Sequence, residues 1–213
     1  RMAASLRHRG ADHTLDPHAT ATLGYLSTDT AQRLGTGLHA TATGAVVVAG
    51  YRLPEPNLAT LPQLLAALQH DGPAAVIPRL RGGFVLAARL GDSLWLARDA
   101  LGVRSLSYGL HQGQLYFAVE PKAVLAVPGF PRRLRPAAVA QYLTFSFVPG
   151  SMLLDLHELP PGHWLHFRPG QPLNITRYWQ LEHAEGSEAL STEDTPAIRQ
   201  HWASQFRQTL TEA

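Results

Sequence analysis

Leu80-Arg-Gly-Gly-Phe84, Leu96-Ala-Arg-Asp-Ala-Leu-Gly-Val103 and Tyr116-Phe-Ala-Val-Glu-Pro-Lys122 mark a run of apolar segments broken by turn residues, and its reading decides the fold. Gly82-Gly83 reads as a tight backbone turn into a strand that starts at Phe84. Phe84 to Leu90 and Leu94 to Arg98 flank Gly91-Asp92, a tight-turn dipeptide, and predict a hairpin. Leu106 to Leu110 and Gln114 to Ala118 flank His111-Gln-Gly113 and predict a second. Arg98-Asp99 closes a strand, where an ion pair or a turn-capping carboxylate would fix the Gly102 loop. Glu120 and Lys122 would anchor the end of the next strand in the same way.

Outward from this stretch the pattern continues. Ala45-Val-Val-Val-Ala49 is β-branched, bounded by glycines, and reads as a strand. Pro54-Glu-Pro-Asn57 is a loop. Pro62 to His70 predicts a helix with Leu61, Leu64, Leu65 and Leu68 on one face and Gly72 beyond its end. Ala74 to Leu80 predicts a second short helix, and Arg1 to Gly10 a short helical end. Pro136 to Tyr142 predicts a further helix, with Val139, Tyr142 and Leu143 toward a core. Trp164-Leu-His-Phe167 is a late strand after the Pro160-Pro161-Gly162 turn. Paired strands with helices between them predict an α+β layered sandwich.

The tail differs. Glu182 to Glu193 is polar and acidic, and Thr195-Pro196 opens a helix whose Ile198, Trp202, Phe206 and Leu210 form an unpartnered stripe. The expected division is therefore a domain over residues 1–181, then a linker and the first helix of a second, truncated domain over 182–213. The chain opens on Arg1 rather than Met, and its native start is expected upstream.

Composition excludes several classes. A hydrophobic fraction of 45% with 16% charged residues describes a packed globule. Net charge is +2 and Arg132-Arg133-Leu-Arg135 is the only tight basic cluster, read as a solvated loop, so no nucleic acid is expected. No apolar run approaches the roughly 20 residues of a bilayer span, so no membrane partner is expected. The absence of cysteine rules out disulfides, thiolate metal sites and thiol catalysis within these 213 residues, and fits a cytoplasmic location. His157-Glu158 with His163 has the residue types of a zinc motif, but the spacing is wrong and Pro160-Pro161 forbids the shared helix. No metal site is expected.

A set of motifs in chain order then carries a resemblance. Leu6-Arg-His-Arg-Gly-Ala-Asp12, the opening stretch, Phe145-Ser-Phe-Val-Pro149, Leu159-Pro-Pro-Gly-His163 and Arg177-Tyr-Trp179 together resemble the N-terminal glutaminase domain of the asparagine synthetase family. The resemblance implies a four-layer αββα sandwich of the N-terminal-nucleophile type. It also implies a cysteine thiol as nucleophile, which this sequence lacks. At the positions matching the family's substrate pocket, Ala49 replaces an oxyanion-hole asparagine, Tyr51 a glutamate for the glutamine amino group, and Tyr25 a carboxylate-gripping arginine. Tyr25, Ala49, Gly50 and Tyr51 are thus expected to form a vestigial pocket, with no catalytic residue in the chain. Losing one oxyanion donor typically costs about 10²–10³ in rate.

The expected function is a degenerate glutaminase-like scaffold in an ATP-dependent amide-forming ligase, similar to decayed first domains of β-lactam synthetases and lasso-peptide cyclases. No cofactor is expected here, because no S-G-G-x-D-S pyrophosphate loop occurs in the sequence; ATP and magnesium would belong to the synthetase domain. The expected partner is that domain, in the same or a separate chain, and a homodimer is compatible. Two alternatives stay open: an active glutaminase whose N-terminal cysteine lies upstream of Arg1, and a separate interaction subunit.

Overall fold

The apolar runs become strands and the leucine-rich interval a helix in the computed structural model of the chain, which describes residues 1–6, 8, 12–16, 22–27, 36–53, 55–181 and 195–212. Helix α1 (Met2–Ser5) precedes an antiparallel pair, β1 (Asp12–Asp16) and β2 (Leu23–Ser27), followed by β3 (Gly37–Ala40) and β4 (Gly44–Arg52). Helices α2 (Leu61–His70) and α3 (Pro73–Val76) lead through a 3-10 turn at Ile77–Arg79 into β5 (Gly82–Leu90) and β6 (Ser93–Arg98). Then come β7 (Ser107–His111), β8 (Gln114–Ala118), α4 (Pro121–Leu125) and α5 (Pro136–Phe145). The last strands are β9 (His157–Glu158), β10 (His163–Phe167) and β11 (Asn174–Arg177). These elements lie in one compact unit, Arg1–Gln180, and Leu181–Ala213 forms another that holds helix α6 (Pro196–Glu212).

Strand alternation sorts the side chains into layers. One antiparallel sheet runs β11-β10-β6-β5-β4-β3, and a second runs β8-β7-β9. Along β4, Val46 and Val48 face a cluster with Leu64, Leu65, Leu68 and Val76, which seats α2 and α3 on the larger sheet. Ala45 and Val47 face the opposite way, into a cluster with Leu106, Tyr108 and Leu159 that joins the two sheets. On the outer side of the smaller sheet, Ala118 meets Ala123, Val124 and Leu6, which seats α4 beside the N-terminal helix. The order is helix, sheet, sheet, helix: the αββα sandwich, an α+β fold. Each fully buried leucine or valine in these layers contributes about 1.5–3 kcal/mol relative to exposure.

Local chemistry sets the element ends. Thr60 caps α2 by accepting the Gln63 N–H at 3.3 Å, while Gln63 Oε1 accepts the Thr60 N–H at 3.1 Å. Such a cap is worth about 1 kcal/mol. In the β7–β8 hairpin both turn residues lie in the left-handed region, Gln112 at φ 52° and Gly113 at φ 74°. His111 therefore joins the strand opposite Gln114, and the turn is one residue tighter than its sequence suggests.

Four sequence expectations change. Gly82-Gly83 is no turn: both lie in β5, paired with Arg52 and Tyr51 of β4, and a Cβ on Gly82 would fall 2.5 Å from the Tyr51 carbonyl oxygen. The predicted helix 74–80 divides into α3 and the 3-10 turn, with Pro78 inside the latter. On α5 the side chain turned inward is Ala138, with Val139 half-buried, whereas Tyr142 is 50% and Leu143 80% exposed. The antiparallel bridge Leu134↔Leu153 fixes the start of α5 and so decides its rotation. The basic cluster is solvated at Arg132 and Arg133, both exposed, but not at Arg135, whose Nε is buried. Residues 182–194, which include the acidic linker, and most of the Leu6–Asp12 motif lie outside the described residues. Within the second unit, Thr195 Oγ1 accepts the Ile198 N–H at 3.3 Å and opens α6, on which Trp202, Phe206 and Leu210 are exposed. Among the described residues no helix is long and apolar enough to cross a membrane.

Candidate functional site

The four predicted pocket residues sit on β2 and β4. Ala49 follows Val47 on the face of β4 that packs into the core between the sheets. Tyr25 of β2 packs into that same core, and its hydroxyl lies 3.3 Å from Thr36 Oγ1. The two therefore meet in one apolar environment, where Ala49 presents a methyl group and Tyr25 a phenol already engaged by a neighbour.

Gly50 and Tyr51 occupy the end of the strand. Gly50 has φ 118°, and a Cβ there would stand 2.2 Å from the Gly83 carbonyl oxygen and 3.2 Å from Arg104 Cγ. Only glycine permits so close an approach of β4 to β5. Tyr51 pairs with Gly83, whose missing side chain makes room for the tyrosine ring on one side and Val103 on the other: a Cβ on Gly83 would fall 2.9 Å from Tyr51 Cε1 and 2.8 Å from Val103 Cγ1. The second glycine of the pair thus accommodates Tyr51.

Val103 and Arg104 belong to the Gly102 loop that Arg98-Asp99 is expected to fix, and Arg104 lies just past the motif. Asp99, 1% exposed, accepts three backbone N–H groups: Leu101 at 3.2 Å and Val103 at 3.0 Å through Oδ1, and Arg104 at 3.1 Å through Oδ2. Arg98 binds the other side of the loop, donating to the carbonyls of Arg104 at 2.6 Å and Gly102 at 3.0 Å. Its Nη1 reaches the Leu159 carbonyl and Glu158 Oε1, each at 2.8 Å. The sequence left open an ion pair or a capping carboxylate, and the fold uses both, on adjacent residues.

Distant motifs close on the same point. Gly162 donates its N–H to the Asp99 carbonyl at 2.9 Å and accepts from Tyr178 N at 2.8 Å. Tyr178 donates its hydroxyl to the Arg98 carbonyl at 2.6 Å and stacks on Trp164 at 5.8 Å between ring centroids. Burial, aided by the Asp99 carboxylate, pushes the Tyr178 phenol well above its usual range. Glu120 accepts from Lys122 at 3.0 Å and sits 2.9 Å from the His8 ring at the end of β8, as the spacing predicts for an anchoring pair. These residues position a strand end and a loop. Among the described residues no cluster of three or more His, Asp or Glu side chains is placed to hold a metal ion.

The missed neighbours have different origins. Nothing in the sequence couples Tyr25 of β2 to Thr36, which stands just before β3. Arg104 was findable in principle, because a carboxylate at Asp99 capping a loop must draw the next few residues back over the strand end.

A family profile described as a glutamine amidotransferase domain matches residues 62–179, more than half of the chain. Asparagine synthetase [glutamine-hydrolyzing] 1 of Bacillus subtilis (strain 168) is 31% identical over 121 residues, covering 55% of this chain and 19% of the relative. Amidase chry2 of Gibberella zeae is 33% identical over 128 residues, covering 57% and 18% respectively. The chain thus spans about a fifth of the length of these relatives. Among solved structures, the glutamine phosphoribosylpyrophosphate amidotransferase of B. subtilis, complexed with ADP and GMP, aligns at a TM-score of 0.46 and 14% identity, over 75% of this chain and 35% of that one. With the L-A-R-D loop, the P-G-H turn and the closing Tyr-Trp all inside the matched region and joined in one hydrogen-bonded knot, the chain belongs to the glutamine amidotransferase domain family and is related to the asparagine synthetases.

Proposed function

We propose that this domain has lost glutamine hydrolysis and serves as the scaffold of an ATP-dependent amide-forming ligase of the asparagine synthetase kind, β-lactam synthetases and lasso-peptide cyclases included. The observation that carries the reading is Ala49: it occupies the inter-sheet face of β4 with a methyl group where the resembled family places an oxyanion-stabilising amide. Tyr25, its phenol held by Thr36, cannot stand in for a guanidinium that grips a carboxylate. Tyr51 and Val103 close over Gly83 with apolar surface in place of the charge partners a zwitterionic amino acid needs.

In this reading nitrogen comes from free ammonia or from an amine of the substrate, and the synthetase half activates the carboxylate. ATP and magnesium would be bound by that half. These 213 residues contain no S-G-G-x-D-S loop to hold a pyrophosphate, so no step is assigned to the nucleotide here. The exposed side of α5, with Leu143 and Phe145, is the surface offered to the synthetase half, in a reducing cytoplasm.

The test is glutamine itself. Saturation-transfer NMR of the chain with L-glutamine should show no binding. The protein carrying the synthetase half should form its amide at the same rate with ammonia or substrate amine whether or not glutamine is present. Glutamine-dependent ammonia release would overturn the reading, as would a bound glutamine near Gly50.

A further inference from the structure

Away from β4, at the junction of β9, β10 and the start of α5, the surface forms an open cavity of about 360 Å³ lined in part by Tyr108, Arg135, Leu154, His157, Glu158 and Ile175. That volume lies at the lower end of small-molecule sites, roughly 300–1,000 Å³. Three arginines approach this region and two acids answer them. Arg98 pairs with Glu158 at 2.8 Å, and Arg133 holds Asp155 at 2.7 and 3.1 Å. Arg135 has neither a side-chain hydrogen bond nor an ion pair among the described residues, and its Nε is buried without an acceptor.

Arg135 is nevertheless firmly placed. Its N–H donates to the Met152 carbonyl at 2.8 Å, and its carbonyl accepts from Ala138 at 2.9 Å and Val139 at 3.1 Å. A guanidinium that reaches a cavity wall from a fixed backbone, with no acid of its own, is available to an external oxyanion. Buried polar atoms without partners are rare, and arginine matches carboxylate and phosphate in a two-pronged geometry. The one carboxylate on the wall, Glu158, is already neutralised by Arg98. His163 donates Nδ1 to the Pro161 carbonyl at 2.7 Å, which leaves its Nε2 for other contacts. The remaining wall is mixed: Leu154, Leu156 and Ile175 give it an apolar side, and Ser151 and His157 a polar one.

We infer that this cavity binds a small organic oxyanion, a carboxylate or phosphate ester with an apolar body, whose charged end is held by Arg135 and whose body lies against Leu156 and Ile175. A bare ion would leave the apolar wall uncovered, and water would answer the Nε–H but not the unbalanced charge. No relative's activity enters this assignment, and neither outcome of its test bears on glutamine near Gly50.

Calorimetric titration of the full chain with phenyl phosphate, benzoate and inorganic phosphate tests it. Saturable binding of phenyl phosphate or benzoate is expected, at least tenfold tighter than inorganic phosphate, and whichever binds identifies the preferred head group. Arg135→Gln should weaken that binding at least tenfold, while Arg133→Gln, which breaks the exposed pair with Asp155, should leave it within about twofold. If Arg135→Gln does not fold, Leu154→Trp, which fills the cavity mouth with Arg135 intact, should abolish binding. Absence of saturable binding of all three probes overturns the inference, as does unchanged affinity in Arg135→Gln or Leu154→Trp. Inorganic phosphate binding as tightly as phenyl phosphate removes the apolar-bodied ligand.

Discussion

The hydroxyl of Tyr178 donates to the backbone carbonyl of Arg98 across a 2.6 Å hydrogen bond, tying the last strand region of the domain to the end of β6. Tyr178→Phe keeps the stacking on Trp164 and leaves a carbonyl without this donor. A loss of about 1–2 kcal/mol is expected in urea unfolding. A variant as stable as the parent would show that the bond contributes nothing net.

Alkaline pH should act through the same residue. Burial, then the Asp99 carboxylate, raise the Tyr178 phenol above its ordinary value of 10.0, so the folded chain holds this proton more tightly than the unfolded one. Its contribution is fully present below about pH 10 and is lost as pH rises from there through the folded-state value. Burial also raises Tyr108, so the urea midpoint of Tyr178→Phe should still fall above pH 10, but less steeply than that of the parent.

Removal of the Asp99 carboxylate should be severe, because three backbone amides lose their acceptor together. Asp99→Ala is expected to destabilise by about 2–4 kcal/mol. Asp71→Ala, which removes an exposed carboxylate beside His70, should stay within about 0.5 kcal/mol. Comparable losses in the two variants would refute the capping role.

Glycine positions separate two costs. At Gly91 a Cβ meets nothing within 4 Å, so Gly91→Ala carries only the left-handed backbone penalty, roughly 1–2 kcal/mol. At Gly50 the same methyl collides with the Gly83 carbonyl at 2.2 Å, and β4 must part from β5. Gly50→Ala is expected to lose at least about 3 kcal/mol or to fail to fold, by thermal denaturation followed with circular dichroism.

The face of α5 offers a test of the scaffold role. Leu143 and Phe145 are 80% and 73% exposed, so Leu143→Asp and Phe145→Asp should change domain stability by less than about 0.5 kcal/mol. Each should weaken association with the synthetase half, measured by sedimentation. Unchanged association in both variants would place the interface elsewhere.

The layers were legible because their signals are local. The β-branched run Ala45–Ala49 between glycines, the leucine face after Pro62 and the turn dipeptide Gly91-Asp92 each depend on neighbours a few residues away. The errors have the opposite origin. Tyr142 and Leu143 have the spacing of a buried face, yet the Leu134↔Leu153 bridge, which no helical periodicity encodes, turns α5 so that Ala138 points inward. Gly82-Gly83 has the composition of a turn but serves β4 across the sheet. At the candidate pocket, motif order brought Ala49 and Tyr25 to attention, whereas the contact of Tyr25 with Thr36 depends on a chain crossing that one sequence does not display.

The place of β10 in the larger sheet bears on how the chain is made. β6 pairs on one side with β5, its immediate predecessor, and on the other with β10, so Leu94–Ala97 has no partner along its outer edge until residues 164–167 have left the ribosome. During that interval a nascent chain displays Trp95 and Leu96 on an open strand, the sort of edge that recruits strangers. Synthesis past Phe167 is the moment at which this hazard ends, and early termination just short of it should yield inclusion bodies instead of a smaller soluble domain.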